Sequence, residues 1–198
     1  DGMAAGDVEG RWYDNDVMKQ DANAFVRAEW RVYSDASGND IRLFGDMQYR
    51  YVHYKAWGVN DNSIWGDEGV YMQPIDVDKQ YHFLNPHLGL SYKRGGHNLF
   101  ISAAIANREP TRSDFTDRYM FSADDSYPKP ERLIDFEVGY TYIAPRLSLG
   151  INLYYMLYHN QLVATGMVND GDDALNTNVE RSFRRGVELM VEWRTTKW

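Results

Sequence analysis

The sequence predicts an all-β chain, an antiparallel up-and-down sheet of the transmembrane β-barrel kind with about seven strands, too few for a large barrel. Three observations carry this expectation. Apolar and polar residues alternate with period two along most of the chain, the alternating runs are longer than soluble strands, and short turns take turns with long polar connections.

The alternation is read run by run. In residues 25–33, Val26, Ala28, Trp30 and Val32 share one face, and Arg27, Glu29 and Arg31 share the other. Residues 41–54 set Ile41, Leu43, Met47, Tyr49 and Tyr51 against Arg42, Asp46, Gln48 and Arg50. In residues 83–93, Leu84, Leu88, Leu90 and Tyr92 oppose Asn85, His87 and Ser91. Leu99, Ile101 and Ile105 oppose small or polar residues in 98–106. Residues 133–143 oppose Ile134, Phe136, Val138, Tyr140 and Tyr142 to Asp135, Glu137 and Thr141. Residues 147–158 oppose Leu149, Ile151, Leu153, Tyr155 and Leu157 to Ser148, Asn152 and Tyr154. Finally, residues 180–194 oppose Phe183, Val187, Leu189, Val191 and Trp193 to Ser182, Arg184, Glu188, Glu192 and Arg194.

Roughly ten residues is the length that a tilted strand needs to cross hydrocarbon. The connections 34–40, 94–97 and 144–146 read as short turns, whereas 56–80, 107–132 and 159–179 read as long polar loops. Membrane barrels alternate periplasmic turns and extracellular loops in this way. Pro86 removes a ladder hydrogen bond and predicts a bulge or an edge, and Arg185, on the apolar face, is expected near the headgroups.

Composition narrows the function. Tyr, Phe and Trp make 15% of the chain, and amphipathic rings in that number suit the two water interfaces of a bilayer. A net charge of -8 without a Lys/Arg cluster argues against a nucleic-acid surface. The chain has no cysteine, which excludes a disulfide framework and a thiolate metal site. No apolar run approaches the roughly 18–20 residues of a transmembrane helix, so any membrane passage belongs to strands. Residues 1–10 lack the basic and apolar regions of a signal peptide, as expected if one has been removed or if the chain starts partway through a larger protein.

Several segments, in order, resemble the TonB-dependent outer-membrane receptors of the iron-siderophore type, in particular those of Bacteroidetes. They are LFGDMQYRY at 43–51, NREPTRSD at 107–114, PERLIDFEVGY at 130–140, NLYYM at 152–156 with QLV at 161–163, and SFRRGVEL at 182–189. The resemblance implies a barrel of twenty-two strands in the outer membrane of a Gram-negative bacterium. It also implies an N-terminal plug, energised by TonB, that admits a scarce nutrient. Ferric siderophore is the leading cargo, ahead of cobalamin, haem and oligosaccharide, and no cofactor is implied. No plug or TonB-contacting segment is recognisable, and Trp198 does not look like the closing strand of the family, so the chain reads as an internal fragment from the C-terminal half of the barrel. Its expected partners are outer-membrane lipid, the plug and remaining strands of the same receptor, TonB through the plug, and the nutrient. An isolated piece of this kind is expected to be an open, curved meander. The alternative is a closed eight-stranded barrel, with residues 8–20, read as loop, supplying a strand that pairs with the last one.

Candidate chemistry is sparse. Asp135 and Glu137 share a strand face, as a glycosidase pair does, but alternation alone produces such neighbours. With Arg184 and Glu188 they are expected to line a hydrated lumen and meet a plug. Asn107, Arg108 and Arg112 form either a loop base held by hydrogen bonds and ion pairs or, as the resemblance implies, a lumen-side contact to the plug. Trp57, Trp65, Tyr71, Tyr119, Phe121 and Tyr127 offer rings for stacking on a flat ligand, or else for anchoring at the interface. His82 and His87 are five residues apart and point to opposite faces of a strand, and His53, His97 and His159 lie on other elements without ligand spacing, so no metal site is expected. No Gly-rich phosphate loop or serine nucleophile elbow is present. Nutrient import competes with an outer-membrane hydrolase built on a small barrel and with a soluble carbohydrate-binding sandwich. Strand length and loop alternation count against the sandwich, and the ordered family segments count against both.

Overall fold

A computed structural model describes residues 13–66, 69–116, 127–168 and 174–195. The seven strands described are β1 (Tyr13–Ser34), β2 (Asp40–Gly66), β3 (Gly69–Arg94), β4 (His97–Arg108), β5 (Glu131–Ile143), β6 (Leu147–Val168) and β7 (Ala174–Trp193). They form one antiparallel sheet in sequence order, and a short helix, α1 (Arg112–Thr116), follows β4. β1 pairs with β2 and does not meet β7, so the sheet is open.

The register lines up the apolar faces. Trp30, Leu43, Leu90, Ile101, Val138, Leu153 and Val187 are successive partners across all seven strands, so each strand adds one side chain to a continuous apolar row. These side chains are largely exposed, Val187 at 61% and Ile101 at 56%, because their solvent is not protein. From Trp193 to Phe183 is ten residue steps, about 33 Å of strand. At a tilt of about 40° that covers about 25 Å, the height of an outer-membrane apolar band.

On the other face, aromatic rings lie over glycines of the neighbouring strand. A Cβ on Gly89 would meet Phe44 Cζ at 2.2 Å, one on Gly139 would meet Phe100 Cε1 at 2.1 Å, and one on Gly186 would meet the Tyr154 hydroxyl at 2.3 Å. The missing side chains let large rings lie flat against the concave side of a curving sheet.

The long connections differ from the expectation. Most of 56–80 and 159–179 is strand: β2 and β3 stay paired as far as Gly66 and Gly69, and β6 and β7 as far as Val168 and Ala174. Residues from Tyr13 onward, read as loop, belong to β1. The physical reason is a change of phase. Along β2, Tyr49 and Tyr51 point outward with the apolar row, but beyond them His53 and Lys55 point outward, while Val52, Tyr54 and Ala56 are buried on the inner face. β3 changes in step, from Leu84 outward to Asp78 outward with Val77 and Ile75 buried inside. Alternation continues with its polarity reversed, and a search for one constant apolar face ends at the reversal.

Pro86 produces neither a bulge nor a shift in the β2–β3 register, where it faces Met47. It stands where the β3–β4 ladder ends, one residue past the His87–Ala104 pair. Beyond it, side chains replace the ladder: the Asn107 amide N–H donates to Asn85 Oδ1 at 3.0 Å, and Asn107 Nδ2 donates to the Leu84 carbonyl at 3.1 Å. Arg185 lies between Val187 and Phe183 on the outer face, its guanidinium 5.8 Å from the Phe183 ring.

In the full-length receptor, Val138→Arg and Ile151→Arg are expected to reduce the amount assembled in the membrane. An arginine at the midplane costs about 2–4 kcal/mol. Asn152→Arg, whose side chain points inward beside Glu137 and Glu188, is expected to assemble at near wild-type level. Heat-dependent mobility of membrane fractions in SDS reports all three.

Candidate functional site

The inner face is a field of ion pairs and hydrogen bonds. Arg42 bonds Glu29 at 2.6 Å and Asp40 at 2.7 Å, and His87 Nδ1 lies 3.0 Å from Asp46. Further round, Asp135 faces Met156, which faces Arg184, and Asn152 faces Glu188. Asp135, Glu137, Arg184 and Glu188 are thus gathered on one patch of four inner-facing strand positions. Arg184 stacks 5.1 Å from the Tyr158 ring, and Asp135 Oδ1 and Asn152 Oδ1 are buried without a hydrogen-bond partner among the described residues. A groove of 450 Å³ opens beside the interrupted β3–β4 ladder, lined by Phe25, Arg27, Asp46, Gln48, Asn85 and His87 among others.

The second feature is the segment after β4, which crosses the inner side of the tall β2–β3 hairpin. Arg50 holds Glu109 with two hydrogen bonds, both 2.9 Å, and Lys19 adds a third at 2.7 Å. Arg50 also bonds Asp21 at 2.6 Å, so opposite charges alternate through the group. Thr111 caps α1: its N–H and its hydroxyl each donate to Asp114 Oδ2 at 2.7 Å. The helix turns Phe115, 2% exposed, onto Tyr54, with ring centroids 5.0 Å apart. Asp114 Oδ1 accepts from Asn176 of β7 at 2.9 Å, so the segment ties the β2–β3 hairpin to the β6–β7 hairpin above the shorter β4 and β5.

Asn107, Arg108 and Arg112 all have partners in this framework. Asn107 spans β3 and β5, bonding Asn85 and accepting from Arg132; Arg108 pairs with Glu131 at 2.8 Å; and Arg112 donates to Asn15. Of the aromatic candidates, Trp57 is 42% exposed with Lys55 Nζ 6.0 Å above its ring, on the outer face. Tyr127 packs on Phe115 on the inner face, bonds the Asp76 carbonyl and has Lys79 Nζ 4.7 Å from its ring. The two rings occupy opposite faces of the sheet. Trp65 and Tyr71 lie near the tip of the β2–β3 hairpin, where the described structure is backbone alone, and Tyr119 and Phe121 lie outside the described residues.

Sequence reading missed Lys19, Asp21, Arg50, Tyr54, Glu109 and Phe115. One signal was available, the Thr111-x-x-Asp114 capping pattern, which announces a helix start inside an apparent loop.

Burial raises the Glu109 pKa, but the hydrogen bonds from Lys19 and Arg50 outweigh burial and hold the carboxyl below its ordinary range. A depressed carboxylate stabilises the docked segment above its unfolded pKa, and that contribution is lost as pH falls through the folded value, below about pH 4. Amide exchange of residues 109–116 in the full-length receptor is therefore expected to be slow and flat from about pH 5 to 8, after correction for intrinsic rates, and to rise below about pH 4. Glu109→Gln should raise exchange throughout the neutral range, by about 2 kcal/mol of local opening, and remove the acid step.

The profile described as "TonB dependent receptor-like, beta-barrel" matches residues 2–198. No curated protein matches the chain. Among solved structures, it is similar to the copper transporter OprC, with a TM-score of 0.71 and 16% identity over 91% of this chain and 27% of that one. It is also similar to the FrpB iron transporter of Neisseria meningitidis, with a TM-score of 0.61 and 18% identity over 93% of this chain and 25% of that one. A third is the ferric-catecholate import receptor Fiu of E. coli K12, with a TM-score of 0.58 and 16% identity over 91% and 26%. The chain thus spans about a quarter of the length of each of these relatives. At such identities the structural likeness shows the fold, and the profile match over nearly the whole chain shows the family, one of transporters and not of enzymes. The chain belongs to the TonB-dependent receptor β-barrel family, and its seven-stranded sheet is barrel wall of the Gram-negative outer membrane.

Proposed function

We propose that this wall belongs to a plugged importer of a scarce nutrient, with a ferric siderophore as the cargo class. The observation that carries the reading is the pairing of a continuous apolar outer face with an inner face of charges. Asp135, Glu137, Arg184 and Glu188 face the interior on one patch of the wall. Charged side chains on a lumen wall require water or polar partners, and a polar plug filling the lumen supplies them. The plug then links this wall to TonB. Support for the cargo class comes from the neighbours named as iron transporter and ferric-catecholate import receptor, beside one named as a copper transporter.

By the rule for outer-membrane barrels, the turns at 35–39, 95–96 and 144–146 face the periplasm, and the tall hairpins rise outside the cell. Trp57, Trp65, Tyr71 and Tyr127 then lie on the extracellular side, where the cargo arrives. Asn107, Arg108 and Arg112 hold the wall and the bridging segment together, and any plug contact they make is added to those bonds.

A strain lacking the full-length receptor is expected to lose uptake of iron supplied as a ferric siderophore and to regain it with the wild-type gene. Glu137→Ala with Glu188→Ala should restore uptake several-fold less well at equal membrane abundance. Unchanged siderophore uptake in the deletion strain would remove the cargo class, and full restoration by the double variant would remove the plug contact.

A further inference from the structure

The wall separates lumen from lipid, and along one line side chains alone make that separation. Near the top of the apolar band, Val26, Met47 and Pro86 are outward register partners on β1 to β3, and Ile105, Ile134, Leu157 and Phe183 are partners on β4 to β7. The β3–β4 register would pair Pro86 with Ile105 and join the two halves of the row, but that ladder stops one residue short of them, at His87–Ala104. The other five strand pairs run through this level without a break.

Proline accounts for the stop. The Leu84 carbonyl points towards β4, since it accepts from Asn107 Nδ2 at 3.1 Å, and backbone groups two residues apart face the same edge of a strand. Pro86 therefore meets β4 with a ring where the ladder needs a donor. The Asn107 N–H, which a continued ladder would give to the Leu84 carbonyl, bonds Asn85 Oδ1 at 3.0 Å, and Asn107 Nδ2 bonds the same oxygen at 2.9 Å. Asn85 is itself held to Gln48, its Nδ2 donating at 3.1 Å. One pair of asparagine side chains closes the seam.

The 450 Å³ groove beside the seam touches both sides of the wall. Gln48, Asn85 and His87 line it from the inner face, whereas Pro86 and Ile105 belong to the row that faces hydrocarbon. A cavity of this size holds a small molecule. A purely polar ligand gains nothing from the seam, and a purely apolar one gains nothing from the inner lining. An amphiphile is matched at both ends, with polar partners in the groove and a way into the bilayer between Pro86 and Ile105.

We propose that the β3–β4 seam takes the tail of an amphiphilic cargo, an iron chelate bearing a fatty acyl chain, while its polar head lies in the groove. Each methylene moved from lumen water into hydrocarbon favours binding by about fourfold. The proposal rests on the importer reading above and narrows its cargo class.

The test uses the full-length receptor in lipid nanodiscs and two probes, a ferric trihydroxamate carrying a decanoyl chain and the same complex carrying an acetyl group. Partitioning into receptor-free nanodiscs is subtracted. The readout is the ratio of the two affinities, so a general loss of binding in a variant does not count. Wild type is expected to bind the decanoyl complex about tenfold or more tightly than the acetyl complex. Pro86→Val returns the missing donor and lets the ladder continue, and Ile105→Trp fills the seam from the β4 side. Each should bring the ratio to within about twofold. A variant that loses heat-modifiable mobility is replaced by Ile105→Phe, with a smaller change in the same direction. The same high ratio in wild type and variants would put the tail in the bilayer or elsewhere on the receptor and overturn the proposal. A ratio near one in wild type sinks the seam and leaves the siderophore reading standing. Binding of neither complex also overturns the proposal, and the uptake assay then decides the cargo class separately.

Discussion

The structure depends on one constraint: the outward side chains of each strand must match the solvent at their own height. From the short turns to Leu84 and Tyr49 that solvent is hydrocarbon, and the outward residues are apolar. Beyond Tyr51 and His82 it is water, and the outward residues become His53, Lys55 and Asp78. The freed apolar positions turn inward and build the cluster of Tyr54, Ala56, Ile75, Val77 and Phe115. That cluster exists only because the tall hairpins leave the membrane, and it gives the segment after β4 something to dock on.

Charge follows the same logic. The inner arginines Arg42, Arg50 and Arg108 are each paired with a carboxylate, as in the Asp21–Arg50–Glu109–Lys19 group, which costs little beside a hydrated lumen. On the outer face, Arg132 and Arg181 have no ion-pair partner among the described residues and stand directly beyond the apolar row Ile134, Leu157 and Phe183. The free edges of β1 and β7 obey a harsher rule: in hydrocarbon each unpaired backbone group costs several kcal/mol, so in the membrane both edges require neighbouring strands.

What was legible in the sequence is what period two records. The seven strands, the turns after Ser34, Arg94 and Ile143, and the two faces within the apolar band all follow from alternation. The upper half of the β2–β3 hairpin did not, because its alternation reverses sign and imitates a polar loop, and in the β6–β7 hairpin the positive φ of Asn160 and the register shift between Ala164 and Val168 interrupt the pattern. Glu109 was also hidden: its partners Arg50 and Lys19 lie 59 and 90 residues away, and no local pattern marks such a pairing. Pro86 was recognised as an interruption, but its form depended on an Asn85–Asn107 contact that only the register reveals. The patch of Asp135, Glu137, Arg184 and Glu188 was legible in its facing, since face is a matter of parity.

The change of outward solvent along a strand is tested most directly by nitroxide labels at single positions of the full-length receptor in lipid bilayers, probed with oxygen and with a water-soluble relaxant. From 147 to 157, oxygen contact should oscillate with period two and peak at Leu149, Ile151, Leu153 and Tyr155. At the outward positions Asp76, Asp78 and Gln80, oxygen contact should fall and contact with the water-soluble relaxant should rise. A flat profile in β6, peaks at the even positions, or oxygen-rich signals at Asp76 to Gln80 would contradict the account.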